Sequence, residues 1–105
     1  MKDQNISFSK NGFKELINHK EHEILLTSGI GELINSEELK KELINTIKKY
    51  FNCEWDLNSE DKEINDNALS RGGNIASSYK INDVIINIIT DQGWNKTTVM
   101  LSDEY

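Results

Sequence analysis

The chain opens with helix-like spacing of its apolar residues and closes with strand-like spacing. Phe13, Leu16 and Ile17 fall at i, i+3 and i+4, which puts one apolar stripe on a short helix over about residues 10–18. Leu39, Leu43, Ile47 and Phe51 then recur every fourth residue, with Ile44 and Tyr50 widening the stripe. Lys40, Lys41, Glu42 and Asn45 take its wet side. This second helix, about 36–51, has Asn35 or Ser36 as its cap. Glu37 and Glu38 stand in its positive first turn and Lys48 and Lys49 in its last. A third helix, about 60–70, follows Ser59 as N-cap and ends at Arg71-Gly72-Gly73. Its apolar side is thin: Ile64, Ala68 and Leu69, with Leu57 placed to fold back as a staple.

From residue 74 the period shortens. Ile75, Ser77 and Tyr79 alternate with Ala76 and Ser78, which predicts a strand over about 74–80. Asn82-Asp83 supplies a tight turn into Val84-Ile85-Ile86-Asn87-Ile88-Ile89, whose β-branched run reads as a central strand, about 84–90. Asp91 to Asn95 reverses the chain and Lys96 to Leu101 returns it, about 96–101. Short extra strands are expected near 6–9 and 24–27. Helices followed by strands predict an α+β domain, with the amphipathic second helix packed on a three-stranded antiparallel meander. The last strand would then be an open edge through which a homodimer can pair.

Residues 1–105 show no linker or repeat and read as a single domain. Twelve basic against eighteen acidic side chains give a formal charge of -6, with Arg71 as the lone arginine. That balance lacks the basic footprint of direct nucleic-acid binding. One Cys excludes a disulfide framework and a Cys-rich zinc site. No apolar run is long enough to span a bilayer, and the start lacks the apolar stretch of a signal peptide, so a cytoplasmic protein is expected.

Candidate chemistry is sparse. His19 and His22 lie one helical turn apart, a chelating spacing, yet a zinc site needs three or four protein ligands. Cys53 sits between Asn52 and Glu54 in no recognisable nucleophile turn. Arg71-Gly72-Gly73-Asn74 follows a helix, whereas phosphate-cradling loops precede one. No catalytic residue, metal or cofactor is therefore assigned. Six carboxylates crowd thirteen residues: Glu54, Asp56, Glu60, Asp61, Glu63 and Asp66. They read either as a solvated helix face or as a run that mimics phosphates in a basic groove, with Asp91, Asp103 and Glu104 extending it if the elements converge. Trp94, beside Gly93 and Asn95 in a turn, is either an exposed interface anchor or a ring folded onto the sheet edge. Trp55 and Tyr79 are expected in the core. The candidate partner-binding set is Asp56, Glu60, Asp61, Glu63, Asp66, Asp91 and Trp94.

From Leu26 onward the chain resembles a family of small plasmid-related proteins of bacterial mobile elements and phages. The motifs are Thr27-Ser28-Gly29, Trp55-Asp56-Leu57 before an Asn-rich helix ending Asn67-Ala68-Leu69, Gly72-Gly73, Ser78-Tyr79, Ile89-Thr90-Asp91, Thr97-Thr98-Val99-Met100-Leu101 and Asp103-Glu104-Tyr105. The family's Asp-Arg pair falls on Gly93-Trp94 and its Pro on Ser102, so an activity resting on that pair does not carry over. The resemblance implies a setting among genes that protect mobile DNA. The expected function is a non-enzymatic inhibitor of a host-defence protein, foremost an anti-CRISPR protein on a Cas effector, or else on a restriction component. The alternative is an accessory or antitoxin-like protein that binds a partner from its own element.

Overall fold

The computed structural model describes residues 8–55 and 59–104. Four helices, α1 (Lys10–Glu15), α2 (Ser28–Leu33), α3 (Glu37–Phe51) and α4 (Ser59–Leu69), accompany four strands, β1 (Glu23–Leu26), β2 (Ile75–Ile81), β3 (Val84–Thr90) and β4 (Lys96–Leu101). The class is α+β, as expected, and among the described residues no helix is long and apolar enough to cross a membrane.

The sheet departs from the expected meander. Its order is β1-β4-β3-β2, with β1 parallel to β4 and the other pairs antiparallel. β4 is therefore an inner strand, and the homodimer pairing expected along Lys96–Leu101 has no free edge to use. β1 fills that edge: the N–H groups of Glu23 and Thr27 donate to the carbonyls of Asn95 and Val99, both at 3.1 Å. Ladder groups of β4 that would otherwise need water gain backbone partners. Of the segment near 6–9, residues 6 and 7 lie outside the described set; Ser9 caps α1, its hydroxyl accepting from the Gly12 N–H at 3.0 Å. Ser28 and Gly29, just past the end of β1, start α2.

Asn82 and Asp83 both adopt left-handed backbone (φ 52° and 65°), the geometry of a two-residue hairpin turn, and bring Ile81 opposite Val84. Alternation then sorts the strand residues. Ile75, Ile81, Ile86, Ile88, Thr90, Thr97 and Val99 are buried on the inner face beneath α3. Ser36 caps α3 through the Leu39 N–H at 3.2 Å. Its buried residues are Leu43, Thr46, Tyr50 and Phe51, with Leu39 and Ile47 partly covered. Ile44, read as part of the stripe, is 52% exposed. Phe51 is sealed by Phe13 of α1 at 5.3 Å between ring centroids, whereas Ile44 stands two turns nearer the start of α3. Phe13 ties the layer together, lying 5.4 Å from Tyr50, 6.3 Å from Trp55 and 5.2 Å from Trp94.

Candidate functional site

α4 is fixed by three inward residues. Ala68 and Leu69 are buried, and Asn65, also buried, uses its amide as a strand would. Its Nδ2 donates to the Ala76 carbonyl at 2.9 Å, and its Oδ1 accepts from the Ala76 N–H at 3.4 Å. One side chain thereby meets the free edge of β2 at Ala76. In the turn after α4, Gly72 has left-handed backbone (φ 67°), and a Cβ there would meet the Phe8 ring at 2.5 Å.

With this inward side set, a rotation of about 100° per residue decides where the carboxylates point. Glu60, Glu63 and Asp66 form one outward stripe, all exposed. Asp61 falls on the opposite flank and lines a groove with Ile64, Asn65, Ala76, Ser78, Asn87 and Ile89. Asp56 lies outside the described residues, as does Leu57 with its expected staple. Asp91 is exposed and pairs with Lys96 at 3.5 Å. Its hairpin is tied past the end of α4 by the Gly93 N–H, which donates to the Gly72 carbonyl at 2.8 Å. Asp91 thus sits by the C-terminal end of α4, while Glu60 and Asp61 begin it, about 16 Å away along the axis. The structure gathers three of the expected carboxylates into one stripe and sets Asp61 and Asp91 apart from it.

Glu104 also has another task. Its carboxylate accepts from the Thr27 hydroxyl and the backbone N–H groups of Gly29 (3.2 Å) and Leu101 (2.8 Å), and these bonds, Thr27's foremost, hold it below the usual carboxylate range. It fastens the C-terminal turn to the start of α2.

Trp94 is not an exposed anchor. It is fully buried (0% exposed), its indole N–H donates to the Gly73 carbonyl at 2.9 Å, and its ring meets Phe13 and Phe8 edge-on. The cause is local: left-handed backbone at Gly93 (φ 89°) and Trp94 (φ 58°) turns the side chain inward. The apolar residue exposed on α4 is instead Ile64, 59% exposed and one turn from Glu60. Sequence reasoning placed Ile64 inward with Ala68 and Leu69 as the apolar side of the helix. The signal for the true inward line is the i, i+3, i+4 set Asn65, Ala68 and Leu69.

The histidines are not paired as ligands. His22 is buried, with Nδ1 donating to the Trp94 carbonyl at 2.8 Å and Nε2 against the Thr97 hydroxyl at 2.7 Å. The chain continues from Thr97 to Thr90 (2.7 Å), from Thr90 to Tyr50 (2.7 Å), and from the Tyr50 hydroxyl to the Ile75 carbonyl (2.9 Å). Both ends are carbonyls, which only accept. These five contacts take five protons, and the three hydroxyls supply one each. A neutral imidazole supplies one more and an imidazolium two. Burial nonetheless lowers the His22 pKa, against the Trp94 carbonyl that raises it and with His19 adding to the fall. Neutral His22 leaves the network one proton short.

Burial pushes the Cys53 thiol up, with Lys10 and Lys14 opposing, so the thiolate is disfavoured. Among the described residues no group of three or more His, Cys, Asp or Glu is gathered to hold a metal. A groove of about 440 Å³ between the turn after α1 and the end of α3 is lined by Lys14, Lys48 and Lys49 with Asn18, Asn45 and Asn52. Compared with known proteins, the chain matches no family model, no curated protein and no solved structure.

Proposed function

We propose that this chain is a non-enzymatic binding protein that inhibits a host-defence protein by stoichiometric occupation of a basic surface. The observation that carries the reading is the outward stripe of Glu60, Glu63 and Asp66 with Ile64 exposed beside it. Clustered carboxylates steer a basic partner into contact, and one apolar side chain among them gives the contact an anchor that excludes water. The resemblance to mobile-element proteins favours a Cas effector as the target, with a restriction component next.

The test is affinity capture of the tagged protein from lysate of a bacterial host carrying such systems, followed by interference assays against the protein recovered. The wild type is expected to retain a defence component at low salt and release it at moderate salt, as screening shortens the reach of surface charge to about 10 Å at 0.1 M. The triple change Glu60→Lys, Glu63→Lys, Asp66→Lys is expected to abolish capture, and Ile64→Ala to weaken it at every salt concentration. Capture that survives the triple change would refute the acidic stripe as the binding surface. Recovery of only an element-encoded partner would overturn the defence target in favour of an accessory or antitoxin-like role.

A further inference from the structure

The sheet has two faces, and the helical layer covers one. The molecule measures 38 × 35 × 21 Å, the shortest extent being that of one helix layer on one sheet. Among the described residues the helical layer leaves this outer face open except along β2, where Asp61, Ile64 and Asn65 of α4 border a groove with Ala76, Ser78, Asn87 and Ile89; Leu25 of β1 (42% exposed) and Ile85 of β3 (49% exposed) stand on the open part with Met100. We propose that this outer face is where two copies of the chain meet; it adjoins Ile64 of the acidic-stripe reading through the groove beside α4 but rests on other residues.

Charge argues for a second copy as the occupant. The outer face carries Lys80 and Lys96 against Glu23, with Asp61 and Asp91 at its rim, so it holds a net charge of -1 out of the chain's -6. A symmetric contact sets a patch against its own image, so a face that carries both signs in near balance repels its copy less than the all-acidic α4 stripe would. A partner chosen by positive charge would go to the α4 stripe. One polar pair of the face is already matched within the chain. The Ser78 hydroxyl donates to Asn87 Oδ1 at 2.6 Å across the strands, so closing the interface leaves that hydroxyl partnered. Four strands about 4.8 Å apart and about 20 Å long give about 400 Å² in projection, more as side-chain surface. Over both copies that is about 800 Å², below the usual size of specific interfaces, and it sets a weak, concentration-dependent dimer.

Sedimentation equilibrium of the full chain over a wide concentration range tests this. The average mass is expected to rise from 12.1 kDa toward twice that value. Ile85→Glu, and separately Leu25→Lys, should move the midpoint about tenfold or more to higher concentration, since each buries an unpaired charge. Both sites are exposed, so circular dichroism should report an unchanged fold. Ile44→Glu, on the helical side, should leave the association as in wild type. A wild type that stays at 12.1 kDa throughout overturns the proposal, as does self-association that survives Ile85→Glu or is lost in Ile44→Glu.

Discussion

Replacing Trp94 by alanine separates a buried ring from a surface anchor. The side chain is fully buried against Phe13 and Phe8 and gives its indole N–H to the Gly73 carbonyl. Truncating a buried Trp costs about 3–5 kcal/mol through lost transfer energy and the cavity left behind. Alanine keeps the left-handed backbone at φ 58°, so nothing is regained there. Domains of this size hold about 5–15 kcal/mol in all, so Trp94→Ala removes a large share. At about 4–8 °C per kcal/mol its melting temperature should fall by roughly 12–40 °C. Urea titration followed by far-ultraviolet circular dichroism measures the loss from the shift in midpoint. Trp94→Phe keeps a ring in place but strands the Gly73 carbonyl, for a cost of about 1–3 kcal/mol, and stays measurable if the alanine variant does not fold. A loss under about 1 kcal/mol in Trp94→Ala, the range of surface positions, would refute the buried placement.

Asn65→Ala should cost about 1–3 kcal/mol in the same titration, because both Ala76 backbone groups lose their partner, and it should raise aggregation through the opened β2 edge. His22 makes stability pH-dependent with a definite sign. Its pKa is lowered on folding, so its contribution is complete above the ordinary imidazole value near 6.5 and is lost as pH falls through the folded value. The urea midpoint should therefore drop between about pH 7.5 and about pH 5.5 more in wild type than in His22→Gln; equal drops would contradict it. Gly72→Ala should destabilise more than Gly93→Ala. Both are left-handed and cost about 1 kcal/mol for that alone, but only at Gly72 does the new Cβ press on Phe8. Equal melting temperatures for the two variants would count against the contact.

Local rules were enough for most elements. Ser36 and the four-residue spacing of Leu39, Leu43 and Ile47 define α3, because a cap and a stripe act within one helix. Asn82-Asp83 fixes its hairpin for the same reason, since the turn needs only residues that tolerate left-handed backbone. The alternation of β2 and the β-branched run of β3 also carry their own pairing register. Composition likewise set the net charge and the dense run of carboxylates before α4 was placed.

What only tertiary structure decided are matters of partner and direction. The parallel docking of β1 on β4 joins residues more than seventy positions apart, and nothing within Glu23–Leu26 encodes which edge it meets. The burial of Trp94 depends on φ at Gly93 and on a carbonyl at Gly73, two separate loops that meet only when the sheet forms. Which carboxylates share a face followed from Asn65 docking on Ala76, a polar residue taking an inward place that its side chain alone would not predict. His22 shows the same division: its spacing to His19 was visible, but its ties to Trp94 and Thr97 exist only in the folded chain. A pattern of apolar residues states how much of each element must be buried. Long-range hydrogen bonds and the room left by neighbouring elements determine which side chain is buried and against what.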